Sequence, residues 1–384
     1  MRLEAFLSNK PLFYKKFDPL RMQKAYDQVK NELHIPRIIH LIGTNGKGTT
    51  GRFLAQMLQQ IGLKVGHYSS PHINVFNERI WIDGALASDN SLDQAFDSLI
   101  EILDKEYQES LSYFEFTTLV AMIAFKDCEF VVLEAGLGGE YDATSVFPNE
   151  LTLLTPIGLD HAEFLGSTIT EVATTKINGV QKFALTASQP NEVMEVLKSI
   201  SCKHGFGYEN ICLNEKDSRL VERFFEINQV DYLTKNFSHA LAALRKLGFD
   251  NEIEVSKIGT LFGRLTKLED NLVIDVGHNV LAAKQILGHF GKTKVNLVYN
   301  TLSDKAYKEI LVLLKPMIKK LFIIDISDER ALEKDKLQTT LDDLDIEYED
   351  FTMIDKAHMT LVFGSFVVVE TFLKVTNKKM DKSG

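Results

Sequence analysis

The sequence predicts an α/β protein: a parallel-sheet domain built around a P-loop-like turn, followed by a smaller Rossmann-like α/β domain. Three observations carry this expectation. Short apolar runs alternate with segments of helical spacing, the pattern of βαβ units. A glycine-rich turn, Gly43-Thr44-Asn45-Gly46-Lys47-Gly48-Thr49, falls between one such run and a helix. A second alternating series begins near Asn271, after the polar stretch 248–257. At 384 residues the chain is too long for one compact core. We expect domains at 1–258 and 259–384, with the hinge between Gly248 and Leu265.

Residues 37–42 (RIIHLI) read as a buried strand and 49–60 as the helix after the turn. A second strand is expected at 62–68, helices at 92–103 and 116–126, and a third strand at 130–134 (FVVLE). The run 151–156 (LTLLTP) reads as a fourth strand, with a polar loop and a helix near 170–179 behind it. A helix rich in Ala and Leu is expected at 232–247. In the second series LVIDV, VNLVY and LFIIDI read as strands separated by helices, and LVFGSFVVVE closes the run. Loops leaving the carboxyl ends of such strands face the usual ligand crevice. The polar, Lys-rich tail 377–384 reads as disordered.

Composition narrows the function. An apolar share of 45% with 25% charged residues is that of a soluble globular protein. No run approaches the roughly 18 apolar residues of a membrane span, and the first ten residues lack a signal-peptide core. Cys128, Cys202 and Cys212 fit no disulfide or metal spacing and are expected to be small core residues in a reducing, cytoplasmic setting. A net charge of −10 argues against nucleic acid as a partner but not against small anionic substrates.

At the turn, backbone N–H groups and a helix N-terminus can cradle an anion, Lys47 can reach outer phosphates, and Thr49 can ligate magnesium. The strict Walker spacing is not met: Leu41 stands at the first glycine position, and Gly48 separates Lys47 from Thr49. The residues alone therefore support nucleotide binding and nothing finer.

The segment G-T-N-G-K-G-T resembles the nucleotide loop of folylpolyglutamate and dihydrofolate synthases, whereas the related Mur cell-wall ligases typically show G-T-x-G-K-[ST], without a glycine at the position of Gly48. Further segments resemble that family in order. Ser69-Ser70-Pro71-His72 and Asn77-Glu78-Arg79-Ile80 imply Ser70 as a magnesium ligand and Arg79 as a holder of substrate carboxylates. Ser112-Tyr113-Phe114-Glu115-Phe116 implies Phe114 beside the pterin. The run 130–145 (FVVLEAGLGGEYDATS) implies Glu134 as a magnesium ligand and Asp142 near the pterin, with Glu140 where the family pattern has Arg. The run 154–180 implies His161 as a ligand of a second magnesium and Lys176, 15 residues on, as a carbamylated lysine. Asn236 matches the residue presented to adenine, Gly263-Arg264 an arginine on the phosphates, and Asp275 and His278 (DVGHNV) groups facing the nucleotide. Asn300 to Lys305 and Gly364-Ser365 parallel two weaker family segments.

The resemblance spans about residues 38–365. It implies an ATP-binding domain of the Mur-ligase central type followed by the Rossmann-like domain, with ATP between them and closure excluding water. It also implies ATP, two magnesium ions and a monovalent cation as cofactors. The partners implied are dihydropteroate or folate and L-glutamate, and the expected state is a monomer. Lys47, Lys176, His161 and Arg264 are the expected catalytic residues, acting on an acyl phosphate that glutamate captures. The nearest alternative is a Mur-type amino-acid ligase, which normally carries a further N-terminal domain. About 37 residues precede the first strand, and none is expected here. A P-loop switch or motor, and a binding protein without catalysis, are the other classes weighed.

Overall fold

The computed structural model describes residues 2–11, 18–355 and 357–378, so the tail from 379 onward lies outside the described residues. Two compact units form. The first comprises Met1–Gly158, Ser167–Asn228 and Thr234–Ile258; the second comprises Leu159–Gly166, Gln229–Leu233 and Gly259–Gly384. The division is thus not a single cut. Two short earlier segments belong to the second unit because their side chains bond there: Asp160 to Lys305 and Asn279, and Tyr232 to Asp275.

In the first unit the strands are β1 (Arg37–Ile42), β2 (Val65–Tyr68), β3 (Ile80–Ile82), β4 (Ala85–Leu86), β5 (Phe130–Glu134), β6 (Leu151–Leu154), β7 (Phe183–Thr186) and β8 (Gly207–Asn210). They form one sheet in the order β4-β3-β2-β5-β1-β6-β7-β8. Pairing is parallel from β2 to β8 and antiparallel at β3 and β4. The central strands are buried along nearly their whole length, which explains their continuous apolar runs. Helix Lys47–Gln60 packs on β2, β5 and β1. Helices Asp89–Ile102 and Tyr113–Ala124 pack on each other, and their apolar residues share one core with Tyr68, Val131 and Leu133.

The second unit has β9 (Thr266–Glu269), β10 (Leu272–Asp275), β11 (Val295–Tyr299), β12 (Ile318–Ile323), β13 (Tyr348–Asp350) and β14 (Thr360–Phe363), ordered β13-β12-β11-β14-β10-β9. All neighbours are parallel except β9, an antiparallel edge on β10.

Several expectations need correction. Strands β3, β4, β7, β8, β9 and β13 and the charged helix Glu215–Asn228 were not expected; these strands have two to four residues each, too few to show a period. The apolar run closing the chain is not all strand. It breaks at Gly364-Ser365, where the Ser365 hydroxyl accepts from the Val368 N–H and starts helix Phe366–Val375. Of the three cysteines only Cys128 is buried; Cys202 and Cys212 are exposed rather than in the core.

Candidate functional site

Four motif-bearing loops of the first unit leave the carboxyl ends of β2, β5, β1 and β6, which are adjacent in the sheet. Strand order reverses at β1, the switch point at which parallel sheets bind ligands. The loop after β1 is braced by the loop after β6. Thr44 and Asn45 N–H donate to Pro156 O at 3.0 and 3.3 Å, and the Thr44 hydroxyl bonds both polar groups of Gly158. Gly46 is left-handed (φ 88°), and a Cβ there would stand 2.7 Å from Asn236 Oδ1, so only glycine fits. Asn236 is thereby placed against the turn.

Helix Lys47–Gln60 begins directly after Gly46 with no side-chain cap, which leaves its first N–H groups and its positive end open to an anion. Lys47 Nζ donates to Gly43 O (3.1 Å) and lies 3.9 Å from Glu134 Oε1. Glu134 ends β5, is buried, and accepts from the Ser70 N–H at 3.1 Å. The Thr49 hydroxyl is buried with no hydrogen-bond partner among the described residues. An orphaned hydroxyl, a buried carboxylate and the Ser70 hydroxyl are hard oxygen donors of the kind magnesium takes, so the residues present fit such an ion. Lys176, almost fully buried, donates to the same Gly43 carbonyl at 3.0 Å. Gly139 makes room for it, since a Cβ there would overlap the Lys176 backbone. His161 belongs to the second unit.

The acceptor side of the first unit is aromatic. The Phe114 ring stacks on Tyr68 (5.7 Å) and lies over Gly136, where a Cβ would meet it at 2.7 Å. Arg79 is buried, donates from Nε to His72 Nδ1 (2.8 Å) and lies over the Tyr113 ring. The paired His72 nitrogen must be unprotonated, and burial brings its pKa down to about 4. Asp142 shapes the glycine loop: Oδ2 accepts from Leu137 N–H (2.7 Å), and Oδ1 accepts from the Thr144 N–H (3.0 Å) and hydroxyl (2.6 Å). Burial pushes its carboxyl up. His40, on β1, stands behind Thr144 at 2.7 Å. Glu140 accepts from Asn178 at 2.9 Å, so it cannot supply the cation that the family pattern carries there.

In the second unit the motifs again gather at the carboxyl ends of adjacent strands, β11, β14 and β10. Asp275 accepts from the Tyr232 hydroxyl (2.8 Å), Leu265 N–H (3.0 Å) and Gly277 N–H (2.7 Å), and burial raises its pKa. Arg264 lies 5.2 Å over the Phe366 ring. His278 Nδ1 is 3.1 Å from Val276 O and its Nε2 is 3.4 Å from Asp160. Sequence reasoning assigned no role to Asp160, Tyr232 or His72. Their signal was adjacency to assigned residues, visible for Asp160 and His72 within quoted motifs.

No family model matches the chain. It is 29% identical over 394 residues to the dihydrofolate synthase/folylpolyglutamate synthase of Haemophilus influenzae, covering 89% of each chain. Among solved structures, Helicobacter pylori folylpolyglutamate synthetase superposes with a TM-score of 0.78 at 34% identity, over 98% of each chain. The bifunctional folylpolyglutamate synthase/dihydrofolate synthase of Yersinia pestis, complexed with AMPPNP and a Mn ion, shares the fold with a TM-score of 0.82 at 23% identity, covering 98% of this chain and 97% of that one.

Proposed function

Because the chain belongs to the folylpolyglutamate synthase/dihydrofolate synthase family, we propose that it uses ATP to join L-glutamate to dihydropteroate, forming dihydrofolate, and to reduced folates, forming folylpolyglutamates. The observation that carries this reading is an uncapped helix N-terminus beside a buried carboxylate, Glu134, 3.9 Å from Lys47. Such a carboxylate repels a phosphate unless a cation stands between them, and the orphaned Thr49 hydroxyl offers that cation another oxygen. We assign nucleotide and metal binding to residues 1–258 and the smaller Rossmann-like part to 259–384.

A carboxylate is inert toward amines at neutral pH, and phosphorylation gives it a leaving group. Lys47 and the N–H groups that open helix Lys47–Gln60 bind and align the terminal phosphoryl group, and Arg264 stabilises its charge. Thr49, Ser70 and Glu134 would hold a magnesium ion, and His161 in the second unit and a carbamylated Lys176 in the first are assigned as further magnesium ligands; the metal would supply positive charge to neutralise the phosphate oxygens. Asn236 meets the adenine, and Asp275 and His278 face the nucleotide. Arg79 fixes the substrate carboxylates, and Phe114 and Asp142 bound the pterin. The glutamate amine attacks the acyl carbon, and the tetrahedral intermediate expels phosphate to leave the amide. The three free cysteines suit a reducing cytoplasm, where we place the enzyme as a monomer.

Coupled measurement of ADP release tests this with dihydropteroate or tetrahydrofolate, each with and without glutamate. Release that needs both the pteridine acid and glutamate supports the reading. Release with a UDP-muramoyl acceptor, or with no acceptor, sinks it.

A further inference from the structure

Asp160 has no role in the chemistry above, yet its buried carboxylate gathers donors from three parts of the second unit. Oδ1 accepts from Lys305 Nζ at 2.8 Å and from the His161 backbone N–H at 2.9 Å. Oδ2 accepts from Asn279 Nδ2 at 2.9 Å and lies 3.4 Å from His278 Nε2. The residue it holds by the backbone, His161, is left-handed at φ 52°, a region that few non-glycine residues enter. Lys305 is itself buried, its side chain 6% exposed, with Asp304 as second carboxylate at 3.3 Å. A buried ammonium is retained only when paired in this way.

We propose that Lys305 and Asn279 are positioning residues for the divalent-metal site: by clamping Asp160 they fix the left-handed turn that orients the His161 imidazole. This rests on the reading of His161 as a metal ligand. Asp160, His161 and His278 are close enough for one cation to reach all three. The Lys305 ammonium already stands at Oδ1, however, and a metal bound there would face it at short range. Asp160 is therefore the handle of the clamp, and His161 the group that reaches the ion. Groups that orient a ligand in this way typically change metal affinity about 10–100-fold when removed.

The test is binding of Mn2+ alone, followed by the electron paramagnetic resonance of the free ion, to protein loaded with a non-hydrolysable ATP analogue and given no glutamate. Lys305→Met is expected to weaken one of two Mn2+ sites by about 10-fold or more and leave the other unchanged, with Lys305→Arg recovering most of the loss. Asn279→Ser keeps a capping hydroxyl for helix Val280–Phe290 but lacks the donor to Asp160, and serves if Lys305→Met does not fold. Wild-type Mn2+ affinity at both sites in a folded Lys305→Met or Asn279→Ser protein overturns the clamp. His161→Ala separates the two ideas: if it loses a site that Lys305→Met keeps, only the clamp is wrong. If it keeps both sites, the assignment of His161 fails and the clamp with it.

Discussion

Two ammonium groups share one carbonyl oxygen at the turn after β1. Lys47 and Lys176 both donate to Gly43 O, at 3.1 and 3.0 Å. Like charges repel; the Glu134 carboxylate 3.9 Å from Lys47 offsets part of this, and an arriving phosphate or conversion of Lys176 to a carbamate would offset more. Lys47→Ala is expected to lower glutamate ligation by about 10²–10³-fold while thermal melting stays that of the unaltered protein. Near-normal turnover in that variant contradicts the loop assignment. Lys176→Ala is expected to be inactive and partly rescued by small carboxylic acids. Absence of rescue, together with an intact mass lacking one added carbon dioxide, removes the carbamate. Residue types were legible here because a lysine, a hydroxyl and a strand-end carboxylate each announce themselves beside glycines. The hold on His161 was not. Lys305 and Asn279 lie more than a hundred residues from Asp160 in sequence, and only the fold brings them together.

At the scale of elements, helix Ile169–Ile177 carries Lys176, and its start is set by a capping box. The Thr168 hydroxyl accepts from the Glu171 N–H, and the Glu171 carboxylate accepts from the Thr168 N–H. Thr168→Ala is expected to cost about 1 kcal/mol in urea unfolding and to reduce turnover by loosening Lys176. A variant of unchanged stability refutes the capping argument. The expected central strands stood out because burial on both faces makes them continuous apolar runs. Strand β8 (Gly207–Asn210, GYEN) lies at the sheet edge and is mostly exposed, so no apolar pattern marks it. The run VVVE in helix Phe366–Val375 misleads for the opposite reason. Its β-branched residues favour strands, but the Ser365 cap and the packing of Val368, Val369 and Phe372 hold them helical.

Across the whole molecule, buried histidines couple folding to pH. His40 and His239 are fully enclosed, and burial brings each from the ordinary 6.5 down to about 4. His67, beside Arg52, is shifted in the same direction, first by burial and then by the arginine. The unfolded chain takes up protons below pH 6.5 that the folded chain refuses until about 4. For His40 and His239 this stabilisation is therefore complete above the unfolded value and is lost as the pH falls through that window, by on the order of 3 kcal/mol each. Urea unfolding at pH 7 and pH 5 checks it: the midpoint drops at pH 5, and His40→Gln shrinks the drop. A midpoint independent of pH contradicts the buried, neutral histidines.

Loops of this kind consume a nucleotide to activate a carboxylate for capture by an amine. Purified protein given ATP, magnesium and dihydropteroate is to be followed for ADP release and for a glutamate-extended product by mass spectrometry, before and after glutamate is added. One ADP per amide formed is expected, with turnover beginning only when glutamate arrives. ADP released at the same rate without glutamate, or no extended pteridine at all, contradicts it.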